Sequence, residues 1–331
     1  MQPRILLNFW LRASRHAPDG GVAGRGRYEA AKENNMRVLL AIDSSSPSQN
    51  VIHVASRRPW PFGTTFCVLS IVDMNSWEGL PALIEDAKRE AQRLVDRAAD
   101  QLTQGGSEVF REIQLGLPKK AIPEFARQWG ADLVMVGSQG QNQMMRFLLG
   151  SVAFAVVRGS PCSVEIVRPS AVDSGSSSHA MRILMATDGS ECSTKAVYSV
   201  ANRPWPPQSQ IRIMSVVQLV NPENRLPPAP LGSEYPTSLL EELWNRARLR
   251  ADDAAAEARK ILVGMNLNVY DGPATPVGDP RTIVLDEAKT WAANLIVVGS
   301  HGRQGLERLL MGSVSEAIAI HAHCSVEVIR R

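Results

Sequence analysis

Residues 137–151 read GSQGQNQMMRFLLGS and residues 299–313 read GSHGRQGLERLLMGS. Each holds Gly, two residues, Gly, nine residues and then Gly-Ser. An apolar, β-branched run precedes each copy (133–136 and 295–298) and a helix-like segment follows. Glycine lets backbone approach a phosphate closely, and a helix start offers unpaired N–H groups to receive it. The doubled pattern points to a nucleotide site, one or two in number.

The pattern belongs to a longer internal repeat, and the repeat decides the architecture. Asp43 aligns with Asp188, and Arg58-Pro59-Trp60-Pro61 with Arg203-Pro204-Trp205-Pro206, 145 positions apart. From Gly116 to Val167 the shift becomes 162, so the second repeat carries 17 more residues between the two blocks. The Pro-rich stretch 221–237 is the expected place for them, and 169–180 (PSAVDSGSSSHA) reads as a flexible linker. The expected domains are 36–169 and 181–331, with 170–180 between them.

Within the second repeat, patterning predicts strands at 183–187, 211–217, 268–270, 295–298 and 325–329. Helices are predicted at 193–203, near 239–262, from Pro280 and from Gly312, the last with Val314, Ala317, Ile318 and His321 as its inward stripe. Asp279-Pro280 is a good helix start, an acceptor at the N-cap followed by proline. Alternating β and α segments with strands apolar on both faces imply an α/β fold with an open parallel, doubly wound sheet of five strands per repeat. Ligands of such sheets bind beyond the strands' carboxyl ends, where strand order reverses. Asp188 and Gly299 both follow a strand and are expected to face one crevice.

Composition narrows the classes. The chain has 331 residues, 44% hydrophobic and 21% charged, an ordinary globular balance sufficient for two cores. Its net charge of +3 resides wholly in residues 1–35, where six basic residues face Asp19, Glu29 and Glu33. That segment, rich in Gly, Arg and Ala, is expected to be a disordered extension ahead of Met36. A neutral body without a basic stripe argues against nucleic-acid binding. No apolar stretch approaches the ~18 residues of a membrane span. Four cysteines without CxxC spacing fit a reducing cytosol, with Cys162 and Cys324 expected as buried strand thiols.

Four blocks in order carry a family resemblance: ATDGSECS (186–193), VGDP (277–280), ANLIVVGSHGRQGLERLLMGSVSEAI (293–318) and HAHCSVEVIR (321–330). Together they resemble the universal stress protein family, whose ATP-binding branch carries Gly-x2-Gly-x9-Gly-Ser/Thr. The resemblance covers nearly all of 36–331 as a tandem pair. It implies strand order 3-2-1-4-5 in each repeat and an adenine nucleotide, ATP with or without Mg²⁺, across the ends of strands one and four. It also implies pairing through the last strand, so that 163–167 and 325–329 meet edge to edge in a pseudo-twofold monomer, a homodimer being the alternative.

Carried onto this sequence, Ala186 and Asp188 flank adenine and ribose, and Val216 touches adenine through its backbone. Gly299, Gly302, Gly312, Ser313, Val314 and Ser315 hold ribose and phosphates, with His301 and Arg303 in the same loop. In the first repeat the matching positions are Asp43, Val72 or a neighbour, Gly137, Gly140, Gly150 and Ser151. That copy departs from the pattern: Ser44 replaces Gly189, Gln139 and Gln141 replace His301 and Arg303, and Ala153 replaces Ser315. It is expected to bind more weakly, because charge-assisted hydrogen bonds are the stronger kind. No Walker loop, kinase loop set or nucleophile–base pair is present, so no catalytic or metal-ligating residue is assigned. The expected function is a cytosolic nucleotide sensor or regulator. A slow ATPase or phosphotransferase and a nucleotide-independent scaffold are the alternatives.

Overall fold

The computed structural model describes residues 36–73, 81–139, 149–169, 180–218, 236–270, 275–302 and 311–330. The expected extension 1–35 lies outside these residues, as do most of the linker and of the Pro-rich insertion, and Gly140 and Arg303 with them.

The first repeat runs β1 (Arg37–Ala41), α1 (Ser46–Arg57), β2 (Thr65–Asp73), α2 (Pro81–Thr103), β3 (Glu108–Gly116), α3 (Pro118–Trp129), β4 (Leu133–Gly137), α4 (Ser151–Gly159) and β5 (Ser163–Val167). The second runs β6 (Arg182–Ala186), α5 (Glu191–Ala201), β7 (Gln210–Met214), α6 (Thr237–Gly264), β8 (Val269–Tyr270), α7 (Pro280–Thr290), β9 (Leu295–Gly299), α8 (Ser313–His321) and β10 (Ser325–Ile329). Inner strands such as LVMVG and LIVVG are buried along nearly their whole length, as strands covered by helices on both faces must be.

Each half keeps the expected order, but there are not two sheets. A single 10-stranded sheet runs β3-β2-β1-β4-β5-β10-β9-β6-β7-β8. All its pairings are parallel except the central one, where β5 and β10 run antiparallel with Val326 opposite Ile166, Glu327 opposite Glu165 and Val328 opposite Val164. Two identical edges related by a twofold axis can only meet antiparallel, and their fusion removes both as exposed templates. Met36–Arg331 consequently forms one compact unit.

The two faces of this junction differ. On one, Val164, Ile166, Val326 and Val328 join the halves into one continuous apolar core. On the other, alternation places Glu165 and Glu327 side by side at 0% and 1% exposure. Arg58 grips Glu165 through two 2.6 Å hydrogen bonds, and Arg203 reaches Glu327 at 2.7 Å. The Arg58 guanidinium also lies 5.5 Å from the Trp60 ring and 5.8 Å from Trp205 of the other repeat. The repeated Arg-Pro-Trp-Pro motif therefore serves the seam between the halves.

Two further arginines cross the seam reciprocally. Arg168, just past β5, donates from Nη2 to the Ala319 and Ile320 carbonyls (2.7 and 3.1 Å) at the end of α8. Arg330, just past β10, donates from Nη2 to the Val157 and Arg158 carbonyls (2.5 and 3.2 Å) at the end of α4. Each satisfies carbonyls that a helix C-terminus leaves unpaired and sits where the helix dipole is negative. Burial pulls the Arg168 guanidinium down to about 10, which still leaves it charged at neutral pH. Arg168→Ala is expected to lower the unfolding free energy by about 2 kcal/mol, since it strands buried carbonyls. Chemical denaturation reads this directly, and an unchanged midpoint would remove the capping role.

Local differences from the sequence expectations have clear causes. β7 stops at Met214 rather than Val217, and Val217 makes an isolated bridge to Val277. α8 turns Ser315, Ile318 and Ala319 inward, whereas His321 is exposed. Its expected stripe is out of phase because the Ser315 hydroxyl, polar in pattern, is buried by donating to the Gly299 carbonyl at 2.6 Å. Cys162 and Cys324 are buried one residue ahead of β5 and β10 rather than within them, and burial pushes both thiols up to about 12. Such thiols stay protonated and inert. No helix among the described residues is long and apolar enough to cross a membrane.

Candidate functional site

A cavity of about 690 Å³ opens at the carboxyl ends of β6, β7 and β9. It is bounded by α6 on one side and by the starts of α7 and α8 on the other. Ala186, Asp188, Val216, Gly299, His301, Gly302, Gly312, Ser313, Val314 and Ser315 all line it. These residues come from four separate stretches of sequence. The strand order brings them together, because β6 lies between β7 and β9 and the helices leave on opposite faces.

Hydrogen bonds hold the rim in place. Asp188 Oδ1 accepts from the Ser190 N–H at 2.9 Å, and Gly189 turns the chain there at φ +69°. Ser190 caps α5 by accepting from the Ser193 N–H at 3.3 Å, and its hydroxyl donates to the His301 carbonyl at 3.3 Å. The first and fourth loops are thereby linked. Gly302 sits so close to Asp188 that a Cβ there would lie 2.8 Å from Oδ2. Gly299 has a different reason to be glycine: its Cβ would lie 2.7 Å from the Cys192 carbonyl carbon and the Ser193 nitrogen, in the first turn of α5. It permits helix α5 to pack on the end of β9.

At α8, Gly312 is the N-cap and its N–H donates to the Ser300 carbonyl at 2.8 Å. The amides of Ser313, Val314 and Ser315 follow in the first turn, where no intrahelical acceptor exists. The exposed Ser313 hydroxyl stands at the same end. His301 Nδ1 lies 3.0 Å from Ser300 Oγ, while its Nε2 is buried with no hydrogen-bond partner. Burial, reinforced by the charge of Arg330, lowers the imidazole below its ordinary range and keeps it neutral at pH 7. Ser300 itself does not line the cavity and orients the imidazole from behind.

The first repeat has a matching cavity of about 670 Å³, lined by Asp43, Val72 and its neighbour Ile71, Gly137, Gly150 and Ser151. Its carboxylate is placed differently. Asp43 Oδ1 accepts from the Ser45 N–H at 3.1 Å, from the Ser45 hydroxyl, and from the Ser48 hydroxyl at 2.7 Å. In the second repeat the hydroxyl of Ser193, the counterpart of Ser48, instead donates to the Ser190 carbonyl and lies 3.1 Å from Thr187 Oγ1. Ile42 stands where Thr187 does and offers no oxygen, so Ser48 turns onto Asp43. The Thr187/Ile42 difference is visible in sequence, but only the hydrogen-bond partners give it meaning.

Several lining residues of the second cavity lie outside the blocks read in the sequence, among them Gln218, Ala247, Arg250, Ala251 and Val284. Ala247 and Arg250 lie on α6, whose alanine-rich face shows helical period but no sign that it closes a cavity. No three His, Cys, Asp or Glu residues among those described gather closely enough to hold a metal ion.

The universal stress protein family profile matches residues 34–168 and again residues 180–330. The chain belongs to the universal stress protein family. A relative from Staphylococcus epidermidis is 30% identical over 141 residues, 40% of this chain and 82% of the relative. A universal stress protein of Methanocaldococcus jannaschii is 28% identical over 138 residues, 40% of this chain and 81% of the relative. The crystal structure of a universal stress protein from Archaeoglobus fulgidus is similar at TM-score 0.59 and 19% identity. That similarity covers 89% of this chain and 96% of the other. At that identity the likeness speaks for the fold, and it extends over both repeats.

Proposed function

We propose that this protein binds an adenine nucleotide, with ATP the expected ligand, in the second-repeat cavity. In this reading it acts as a nucleotide-holding sensor or regulator rather than a fast catalyst. The observation that carries the reading is the meeting of two features in one cavity. Asp188 is an acceptor suited to ribose hydroxyls or an adenine amine, and the first turn of α8 presents its amides for phosphate. About 690 Å³ is ample for a nucleotide-sized ligand. Val216 and Met214, with Ala247 and Val284, supply the apolar surface that a base requires.

The chemistry of the lining supports the holding role proposed here. Asp188 is the only carboxylate on this cavity among the described residues, so a Mg²⁺ would be carried in by the phosphates and find at most one charged protein ligand. His301 is held at Nδ1 beside the buried Ser300, and burial lowers its imidazole below the ordinary range.

The test is mass spectrometry of small molecules released by denaturing the purified chain, together with melting curves in ATP. Binding at 100 times Kd stabilises by about 2.7 kcal/mol, a shift of several degrees. Asp188→Ala should reduce that shift by more than half. If no nucleotide is released and ATP leaves the melting temperature of the unaltered protein unchanged, the family scaffold acts without nucleotide and this reading falls.

A further inference from the structure

The two cavities share nearly every backbone and apolar position, yet their charges differ. On the long helices, Ala247 and Ala251 of α6 correspond to Ala87 and Ala91 of α2, each pair 160 positions apart and each lining its own cavity. Between them the same register sets Arg250 against Glu90, and both of these also line their cavities. A cation in one repeat is an anion in the other. At the end of the second strand, Gln218 stands at the position that Asp73 holds in the first repeat, 145 positions earlier.

Among the described lining residues, the second cavity thus holds one carboxylate, Asp188, one guanidinium, Arg250, and neutral His301. The first holds the carboxylates Asp43, Asp73 and Glu90, with no lysine, arginine or histidine. A polyphosphate entering the first meets two carboxylates, Asp73 and Glu90, that the second lacks, and entering the second it meets a cation. The Arg250 side chain is oriented by its Nε, which donates to the Arg246 carbonyl at 3.1 Å. A concave wall concentrates the field of such a charge on its contents.

We propose that Arg250 is the specificity-determining cation of the second-repeat site, selecting an anionic nucleotide over an uncharged nucleoside. Glu90, at the same place in the first repeat, makes that cavity reject polyphosphate. This rests on the nucleotide reading above and adds to it the residue that separates the two repeats. Arg250 contributes by charge from the wall, so it governs affinity for the phosphate-bearing ligand and leaves recognition of adenosine nearly untouched. Because the side chain is exposed, salt screens it over the ~10 Å Debye length at 0.1 M.

The experiment is calorimetric titration of the full chain with ATP and, separately, adenosine, at low and high ionic strength. Arg250→Ala is expected to weaken ATP about 10-fold, and Arg250→Glu more, in low salt, with adenosine changed less than about twofold and the ATP effect shrinking in high salt. The reverse variant, Glu90→Arg with Asp73→Gln, is expected to raise the ATP stoichiometry from one toward two. Glu90 and Arg250 are both exposed, so these substitutions leave the core intact. If the unaltered protein binds ATP and Arg250→Glu leaves both the ATP affinity and its ratio to adenosine unchanged, Arg250 has no selecting role. If the unaltered protein binds neither ligand, the nucleotide reading itself fails, and this assignment with it.

Discussion

Arg58→Ala is expected to lower the free energy of unfolding by about 3–5 kcal/mol, the range for breaking a buried ion pair from one side. The Arg58 and Glu165 side chains are 4% and 0% exposed, so the abandoned carboxylate cannot recover water without opening the sheet. It would also face Glu327 directly across the β5–β10 ladder, and like charges in that position repel. The Trp205 ring would lose a neighbouring cation supplied by the other repeat. Replacing both partners, as Arg58→Met with Glu165→Leu, should recover most of the loss, because an apolar pair of similar volume avoids the desolvation of two charges. Urea unfolding of the two variants tests the argument. A loss below about 1 kcal/mol for Arg58→Ala, the size of a surface pair, would mean that this pair does not hold the seam.

The second large effect separates two glycines of one motif. Gly299→Ala should destabilise the fold by about 1–3 kcal/mol, because the added methyl meets rigid backbone of α5 and the helix must move. Gly302→Ala meets only the Asp188 carboxylate, the far end of a side chain that can rotate away. Its melting temperature should stay within a degree or two of the unaltered protein. On the proposed nucleotide reading its ATP affinity should fall at least ~10-fold, because the displaced Asp188 would lose a charge-assisted contact to the ligand. Thermal melts with and without ATP distinguish the outcomes. Equal stability losses in the two variants, with ATP affinity preserved in Gly302→Ala, would mean that both glycines serve packing alone.

Much of this molecule is legible in its sequence because the signals are local. The run 295–298 is apolar at every position and reads as a doubly covered strand, and it is one. Asp279-Pro280 reads as a helix start, and Asp279 does accept from the Arg281 N–H. The repeat shift of 162 makes β5 and β10 equivalent edges, and they meet as the resemblance implies. Misreadings arise where a residue's partner lies far along the chain. Ser315 looks polar and outward until its hydroxyl is matched to Gly299, and the α8 stripe shifts with it. Residue 217 belongs to the β7 pattern, but the ladder that would hold it ends at Met214.

By itself the sequence determined the repeat and, through its family resemblance, the strand order within each half and ten of the residues that line the second cavity. Periodicity, glycine spacing and the alignment of one half on the other are all contained in the order of residues. The edge-to-edge meeting of β5 and β10 was expected, but only the tertiary structure decided that it buries Glu165 and Glu327 at the sheet's centre under Arg58 and Arg203. It alone distinguished Gly299, which makes room for a helix, from Gly302, which makes room for Asp188. It also placed Arg250 and Glu90 at equivalent walls. These are matters of distance between residues remote in sequence, and neither propensity nor spacing along the chain encodes such distances.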